Sequence, residues 1–191
     1  MSSSPPSPSA GVAGTANDLV AQLAGLAPDS PVAALREFRG DTTRYTQGSH
    51  DALFSDDVVD LTLRERLYAA WYAALLSNAD QAAQAYRERL LALPTDNRDA
   101  TSSLLDAITE QRALPTESFA ALDNRVKRLA AILIHTEAVV QHPSTVGKPA
   151  LESLQAAGLT TRAIVALSQL IAFVTFQVRI VAALRALEAN A

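Results

Sequence analysis

The feature that most constrains the fold is the long apolar segment near the carboxyl end of the chain, TTRAIVALSQLIAFVTFQVRIVAALRALEA. Its apolar run over residues 163–178 contains four polar side chains and is shorter than the roughly 20 residues needed to cross a bilayer. We therefore predict a long, buried core helix and no membrane span. Elsewhere no alternating polar and apolar pattern indicates a β-strand, and β-branched residues recur at helical spacing. The expected fold class is therefore all-α.

The amino-terminal part of the chain changes composition at its first predicted helix. The stretch MSSSPPSPSAGVAG is too rich in Ser, Pro and Gly to bury a core, so we predict a disordered tail over residues 1–16 and a single all-α domain over residues 17–191. Asn17 is expected to cap a first helix, DLVAQLAGL, and VAALREF to form a second. The polar stretch RGDTTRYTQG is expected to be a loop, followed by a turn in SHDALF and an acidic connector, SDDVVDL.

A helix hairpin is predicted over residues 62–92. Thr62 and Glu65 have the spacing of a capping box, in which each side chain bonds the backbone amide of the other residue, so a helix begins there. Asn78 is expected to cap the returning helix over residues 79–92. Three further helices are predicted between the hairpin and the apolar segment, in NRDATSSLLDAITEQRA, ESFAALDNRVKRLAAILIHTEAVVQ and PALESLQAAG.

Composition excludes several kinds of chemistry. The 191 residues include no cysteine, which removes disulfides, thiolate metal sites and thiol nucleophiles. The net charge is -4 at pH 7 and the 16 Lys and Arg residues are scattered, so no nucleic-acid partner is expected. The three His residues are dispersed, so we expect no metal site and no cofactor. The amino terminus lacks the basic and apolar pattern of a secretory signal, which favours a cytoplasmic protein.

Two segments resemble a known superfamily. LTLRERLYAAWYAALLSNADQAAQAYRERL and LESLQAAGLTTRAIVALSQLIAFVTFQVRIVAAL are similar to the alkylhydroperoxidase D-like, carboxymuconolactone decarboxylase-like proteins, especially their peroxidase-related branch. The likeness covers roughly residues 20–188. In those relatives the first hairpin helix opens as it does here, and the last helix keeps the arginine that matches Arg179. The resemblance implies an AhpD-like helical fold and a homo-oligomer, which is a dimer, trimer or hexamer in the family. The matched residues of the first helix are Leu61, Thr62, Glu65 and Arg66.

The resemblance also locates the family's redox site. Active members place a Cys-x-x-Cys pair at the amino end of the second hairpin helix, where the helix macrodipole lowers the pKa of a thiol, and a histidine follows four residues later. The register puts Ala79 and Ala82 at the cysteine positions and Tyr86 at the histidine position. Because these positions carry no cysteine and no histidine, we expect negligible thiol peroxidase activity from this chain. The carboxymuconolactone decarboxylase branch uses no redox thiols, so the resemblance still allows an enzyme of lactone or acid chemistry.

A cluster of Tyr and Glu residues is the first candidate for a ligand pocket. Glu65, Tyr68 and Tyr72 lie at i, i+3 and i+7 on one face of the first hairpin helix, and Tyr86 could meet that face from the second. Such a cluster could transfer protons or bind a polar ligand. In the simpler alternative the tyrosines fill the hairpin seam and Glu65 only caps its helix.

The last helix carries the second candidate set. Arg179 could hold a carboxylate between walls formed by Phe173 and Phe176. Alternatively, the small residues beside Arg179 allow close helix packing, and the arginine pairs with an acidic residue of another subunit. The polar line that contains it is Ser168, Ala172, Thr175 and Arg179.

Two functions are compatible with these patterns. One is a non-redox family member that binds or turns over a small carboxylate or lactone-like molecule. The other is a non-catalytic oligomeric scaffold, or a partner of a cysteine-bearing peroxidase relative. A cavity that contained Tyr72, Tyr86 and Arg179 would favour the first, and their placement in a subunit interface would favour the second.

Overall fold

The computed structural model describes residues 18–95, 97–111, 114 and 124–191. Every regular element in this part of the chain is helical, which confirms the predicted all-α class for the described residues. The predicted tail and the first residues of the predicted helix 117–141 lie outside them. The α-helices are α1 Leu19–Ala24, α2 Pro31–Phe38, α3 Gly40–Phe54, α4 Leu63–Leu76, α5 Asp80–Ala92, α6 Arg98–Gln111, α7 Asn124–Gln141, α8 Lys148–Ala156 and α9 Thr161–Glu188, with a short 3-10 turn at Pro143–Thr145.

The hairpin of α4 and α5 forms the centre of the fold. The predicted capping box is confirmed, because Thr62 Oγ1 accepts from the Glu65 amide at 3.2 Å and the Glu65 carboxylate accepts from the Thr62 amide at 2.8 Å. All ten residues from Arg66 to Leu75 are buried. Since α4 packs against α5, α7 and α9, it has almost no face left for solvent.

The expected cap at Asn78 is wrong. Asn78 has φ 55°, its amide donates to the Leu75 carbonyl, and the Ala79 amide donates to the Ala74 carbonyl. These two bonds form a Schellman motif, which ends a helix with a left-handed residue, a conformation that Asn tolerates better than most side chains do. Asn78 therefore ends α4, and Ala79 precedes α5 with no side-chain cap.

The predicted loop and turn in RGDTTRYTQG and SHDALF are also wrong, since this segment forms α3. Its polar sequence gives a weak helical pattern, and only His50 and Phe54 are buried. The guanidinium of Arg66 donates to the carbonyls of Leu53 and Ser55 at 2.7 and 2.8 Å, which stabilises the carboxyl end of the helix. Tertiary contacts of this kind override weak local propensity.

The first helix is capped by Asp18, whereas the expected cap Asn17 lies outside the described residues. The Asp18 carboxylate accepts from the amides of Val20 and Ala21. Its other oxygen accepts two bonds from the Arg36 guanidinium, at 2.6 and 2.8 Å. The same carboxylate therefore caps α1 and ties it to α2.

Helix α9 has the predicted length, but it is buried along one face and not all round. Val165, Phe176 and Leu187 are 51, 48 and 54% exposed on its other face. By length and composition, α9 is the only described helix that could cross a membrane, and half of its most apolar window is buried inside the protein. Core helices of water-soluble proteins share these properties, so the evidence for a membrane span is weak. The buried face includes Leu167, Leu170, Ile171, Val174, Gln177 and Val178.

One guanidinium joins three separate segments at the start of α4. Arg128 of α7 donates from Nε to the Glu65 carboxylate, from Nη1 to the Gly158 carbonyl and from Nη2 to the Asp60 carbonyl, the last two at 2.6 Å. The side chains of Arg128 and Glu65 are 21 and 15% exposed. Asp60 and Gly158 have φ 66° and 84°, so both accepting carbonyls lie in tight left-handed turns. Thr160, the cap of α9, donates to the Asp60 carboxylate at 3.0 Å.

Loss of this guanidinium should destabilise the fold. We expect Arg128→Met to lower the free energy of unfolding by about 2–3 kcal/mol, because a shielded carboxylate and two carbonyls lose a charged donor. The measurement is urea denaturation followed by circular dichroism. Arg44→Met is the control, since Arg44 and its partner Asp41 are 68 and 79% exposed and such pairs contribute little. Equal stability of the two variants would contradict a central role for Arg128.

Candidate functional site

A groove of about 1040 Å³ opens between α4, α6 and α7 and is the strongest candidate site in the described part of the chain. We call it the α4–α6–α7 groove. It lies at the end of the hairpin where α4 begins and α5 ends. Its volume is at the upper end of the range typical of small-molecule sites. Its lining includes Val58, Asp60, Leu61, Thr62, Arg64, Glu65 and Tyr68 from the α4 side, Thr95, Asn97, Ala100, Thr101 and Leu104 from the α6 side, Arg125, Val126, Arg128 and Leu129 from α7, and Gly158 and Thr160 before α9.

Among the described residues, three guanidinium groups and two carboxylates line the groove, a formal charge of +1 in a chain of net charge -4. Arg128 uses three of its nitrogens to hold Glu65 and two carbonyls. Arg64 donates from Nη2 to the Pro94 carbonyl at 2.7 Å. Arg64 is half-buried and Arg125 is exposed. A planar guanidinium presents paired nitrogens whose geometry suits a carboxylate ligand.

The floor of the groove, formed by the more buried of its described lining residues, is apolar apart from a phenol and a threonine hydroxyl. Tyr68 is 5% exposed and lies beside the side chain of Thr101 on α6. Burial raises the pKa of Tyr68, while the Thr101 hydroxyl and the Arg64 charge lower it by less. The phenol therefore stays protonated at neutral pH, and it can donate a hydrogen bond but cannot act as a base. Leu61, Leu104 and Leu129 supply apolar wall beside it.

The amino ends of three helices meet at the groove, because α4, α6 and α9 begin beside it at Leu63, Arg98 and Thr161. The positive ends of their macrodipoles add to the favourable potential for an anion. Their caps already occupy some amides: Asn97 Oδ1 accepts from Ala100, and Thr160 Oγ1 accepts from Ala163. The helix ends therefore act on an anion in the groove mainly through the electrostatic field of their macrodipoles, since caps already occupy some of their amide donors.

The structure separates the predicted cluster of Tyr and Glu residues. Glu65 and Tyr68 line the α4–α6–α7 groove. The hydroxyl of Tyr72 donates to Glu137 Oε2 of α7 at 2.8 Å, and burial together with this carboxylate strongly raises the Tyr72 pKa. The hydroxyl of Tyr86 donates to Gln177 of α9, and Tyr86 does not line the groove.

The positions matched to the family's redox groups lie at or inside the core. Ala82 and Tyr86 are 1 and 2% exposed, and Ala79 is partly buried. The Tyr86 hydroxyl donates to Gln177 Oε1 at 2.7 Å, and burial raises its pKa strongly. The Phe54 ring stacks on Tyr86 with centroids 5.5 Å apart. Two methyl groups and a hydrogen-bonded phenol offer neither a nucleophile nor a base here.

The candidates on α9 do not line the groove. Phe173 lies against the core, with its ring centroid 6.3 Å from that of His50. Phe176 is 48% exposed and Arg179 is exposed beside it. Tyr72, Tyr86 and Arg179 therefore share no described cavity. The predicted polar line belongs to the exposed face of α9, where Ser168 and Ala172 are exposed and Thr175 is partly buried.

A second polar cluster joins α3 to α5 around His50. Arg89 Nη1 lies 2.9 Å from His50 Nε2, and His50 Nδ1 lies 3.0 Å from Asp51 Oδ1. Because a guanidinium only donates, Nε2 must accept, and the imidazole carries its proton on Nδ1. Arg89 also lies over the Phe54 ring, 4.6 Å from its centroid. The described residues contain no group of three or more His, Asp or Glu placed to hold a metal ion.

The groove arginines were not singled out by the sequence. Arg64 and Glu65 are adjacent in the capping box, but only Glu65 has a recognisable motif role. Arg125 and Arg128 are one turn apart on α7, which is a weak signal of a shared face. Their approach to Arg64 depends on how α7 packs against α4, and no local pattern encodes that.

Stability should fall with acid through His50. Burial lowers the His50 pKa below its usual value and is the largest effect. The charge of Arg89 lowers this pKa further, while the neighbouring Asp51 raises it. The unfolded chain therefore takes up a proton first, so the stabilisation is complete above the ordinary histidine pKa and is lost as the pH falls below it. The buried His135 contributes a slope of the same sign.

The test is the free energy of unfolding from urea titrations between about pH 7.5 and 5.5, the range in which histidine titrates. We expect His50→Gln to lose less stability over this interval than the parent chain. His142→Gln is the control for the loss of one imidazole, because His142 is exposed and lies outside the His50 cluster. An unchanged slope in His50→Gln would contradict the assignment of a neutral, hydrogen-bonded imidazole.

Comparisons with known proteins identify no relative of this chain. No protein-family model, no curated protein and no solved structure matches it. The function therefore has to be inferred from the chemistry of the described side chains.

Proposed function

We propose that this protein binds a small carboxylate in the α4–α6–α7 groove. The observation that carries the proposal is the convergence of Arg64, Arg125 and Arg128 on a groove whose floor is apolar. A charged rim over an apolar floor suits a small organic acid with an apolar body. Inorganic anions would leave that floor in contact with water. A lactone that carries a carboxylate would likewise place its charge at the rim and its ring on the apolar floor.

The residues divide the binding role between them. Arg128 and Glu65 hold the wall of the groove in place through their own ion pair. Arg64, which is held by one carbonyl, and Arg125 at the mouth are the groups we assign to the ligand carboxylate. The apolar side chains of the floor would cover the ligand body, and burial of each methylene contributes about 0.8 kcal/mol.

We also propose that the chain is a cysteine-free member of the alkylhydroperoxidase D-like, carboxymuconolactone decarboxylase-like superfamily. The capping box, the α4–α5 hairpin and the long α9 support this proposal. The absence of cysteine argues for ligand binding or non-redox turnover in preference to peroxide reduction. The groove and the matched redox positions lie at opposite ends of the hairpin, so the ligand site would not reuse the redox positions.

Binding should depend on the groove arginines. In a thermal-shift screen against short aliphatic carboxylates, we expect at least one to raise the midpoint of the parent chain, because a ligand of the native state stabilises it. Arg64→Gln with Arg125→Gln should abolish the shift. Arg179→Gln should retain it, and this variant separates the groove from the alternative carboxylate site on α9. A shift lost only in Arg179→Gln would move the site to α9, and no shift with any carboxylate would contradict the proposal.

The exposed face of α9 favours a second function, that of an oligomeric scaffold. Val165, Phe176 and Leu187 are spaced by 11 residues, which is close to three helical turns, so they lie on one line. An antiparallel copy centred on Phe176 would set Val165 against Leu187 and the two Phe176 rings against each other. Small residues between them, including Ala172 and Ala183, would allow close approach. Such self-complementarity is the requirement for a two-fold dimer.

The scaffold function requires assembly through this face. We expect the parent chain to sediment as a dimer in analytical ultracentrifugation and Phe176→Glu to sediment as a monomer, since a buried charge without a partner is costly. Phe38→Glu is the matched control, because Phe38 is 86% exposed on α2 and should leave the dimer intact. A monomeric parent chain, or a dimeric Phe176→Glu, would contradict assembly through α9.

A further inference from the structure

The α4–α6–α7 groove has two layers that are one helical turn apart. The outer layer is polar and contains two exposed side chains, whereas every side chain of the inner layer is buried or half-buried. A ligand that lies along these helices would meet both layers. The outer residues are Arg64, Asn97 and Arg125, and the inner residues, each four positions later, are Tyr68, Thr101 and Leu129.

The inner layer presents hydrogen-bonding groups without charge. Tyr68 is 5% exposed, lines the groove and lies beside the Thr101 side chain. Its hydroxyl interacts with the Thr101 side chain, whose own hydroxyl donates to the Asn97 carbonyl, so a ligand oxygen would take the phenol proton in place of Thr101. Arg64 is close enough to Tyr68 for its charge to act on the phenol. Side chains four residues apart on a helix have Cβ atoms about 5–6 Å apart, which is the span of a few carbon atoms.

We infer that the preferred ligand is an oxo-carboxylate, with its carboxylate at Arg64 and its oxo oxygen accepting a hydrogen bond from Tyr68. This inference rests on the proposed function of the groove. A simple carboxylate would bind but would leave the Tyr68 hydroxyl without a ligand partner. Tyr68 is thereby the residue that determines specificity.

The same layering disfavours a dicarboxylate. A second carboxylate at the inner layer would be taken out of water beside Tyr68, Thr101 and Leu129, none of which carries a positive charge. An oxo group loses much less hydration than a carboxylate does on the same transfer. The groove should therefore rank an oxo-carboxylate first, a plain carboxylate second and a dicarboxylate last.

The test uses three probes of similar length in ligand-observed NMR titrations: levulinate, pentanoate and glutarate. Levulinate differs from pentanoate by one oxo oxygen, and glutarate replaces the inner end by a carboxylate. We expect the parent chain to bind levulinate about three- to tenfold more tightly than pentanoate, the range of one net hydrogen bond, and to bind glutarate most weakly. Tyr68→Phe should lose this preference and bind levulinate no more tightly than pentanoate, because the buried oxo group then has no phenol donor.

Tyr72→Phe is the matched control, because it removes a phenol hydroxyl from the same helix that bonds Glu137 and does not line the groove. It should keep the preference for levulinate. Equal binding of levulinate and pentanoate to the parent chain, or a preference that survives in Tyr68→Phe, would overturn the inference and leave the carboxylate site standing. If no probe binds, the inference and the proposed function both fail. The comparison within the parent chain is decisive even if Tyr68→Phe does not fold.

Discussion

The hydrogen bonds of the Arg128 guanidinium fix the part of the molecule on which the candidate site depends. They connect α7 to the capping box of α4 through Glu65, and to two left-handed turns through Asp60 and Gly158. Without them, the start of α4 and the turn before α9 would have no common anchor in α7. The wall of the α4–α6–α7 groove is built from these same residues. The interaction that stabilises the fold therefore also shapes the groove.

The sequence predicted those features that depend on local signals. Thr62 and Glu65 identify the start of α4 through their spacing alone, and the apolar segment identifies α9. Asn78 lies between two helices, where a residue can either cap the second helix or end the first. Its backbone conformation, which the sequence does not show, makes it the end of α4. Helix α3 has only a weak local pattern, and contacts from outside the segment stabilise it, including the Arg66 bonds to the Leu53 and Ser55 carbonyls and the Arg89 bond to His50. The groove could not be predicted, since Arg64 and Arg125 approach each other only after α7 packs on α4.

The hairpin separates two regions with different chemistry. At the end where α5 begins, Ala79 carries only a methyl group, and the nearby Tyr86 is closed off by its hydrogen bond to Gln177. At the end where α4 begins, charged and hydroxyl side chains surround an open groove. The amide nitrogen of Gln177 is buried and has no partner among the described residues. The hydrogen bond between Tyr86 and Gln177 thus holds α5 against α9 in the core, while the charged and hydroxyl side chains at the other end of the hairpin are open to a ligand.

We propose that a small carboxylate binds in the α4–α6–α7 groove. Backbone amide chemical shifts of the isotope-labelled protein, recorded during titration with pentanoate, test it most directly because they report position as well as affinity. We expect saturable shifts for residues of the groove, with Arg64, Tyr68, Thr101 and Arg125 among them, and none along the exposed face of α9 around Phe176. Saturable shifts confined to α9, or no saturable shifts anywhere, would contradict the proposal.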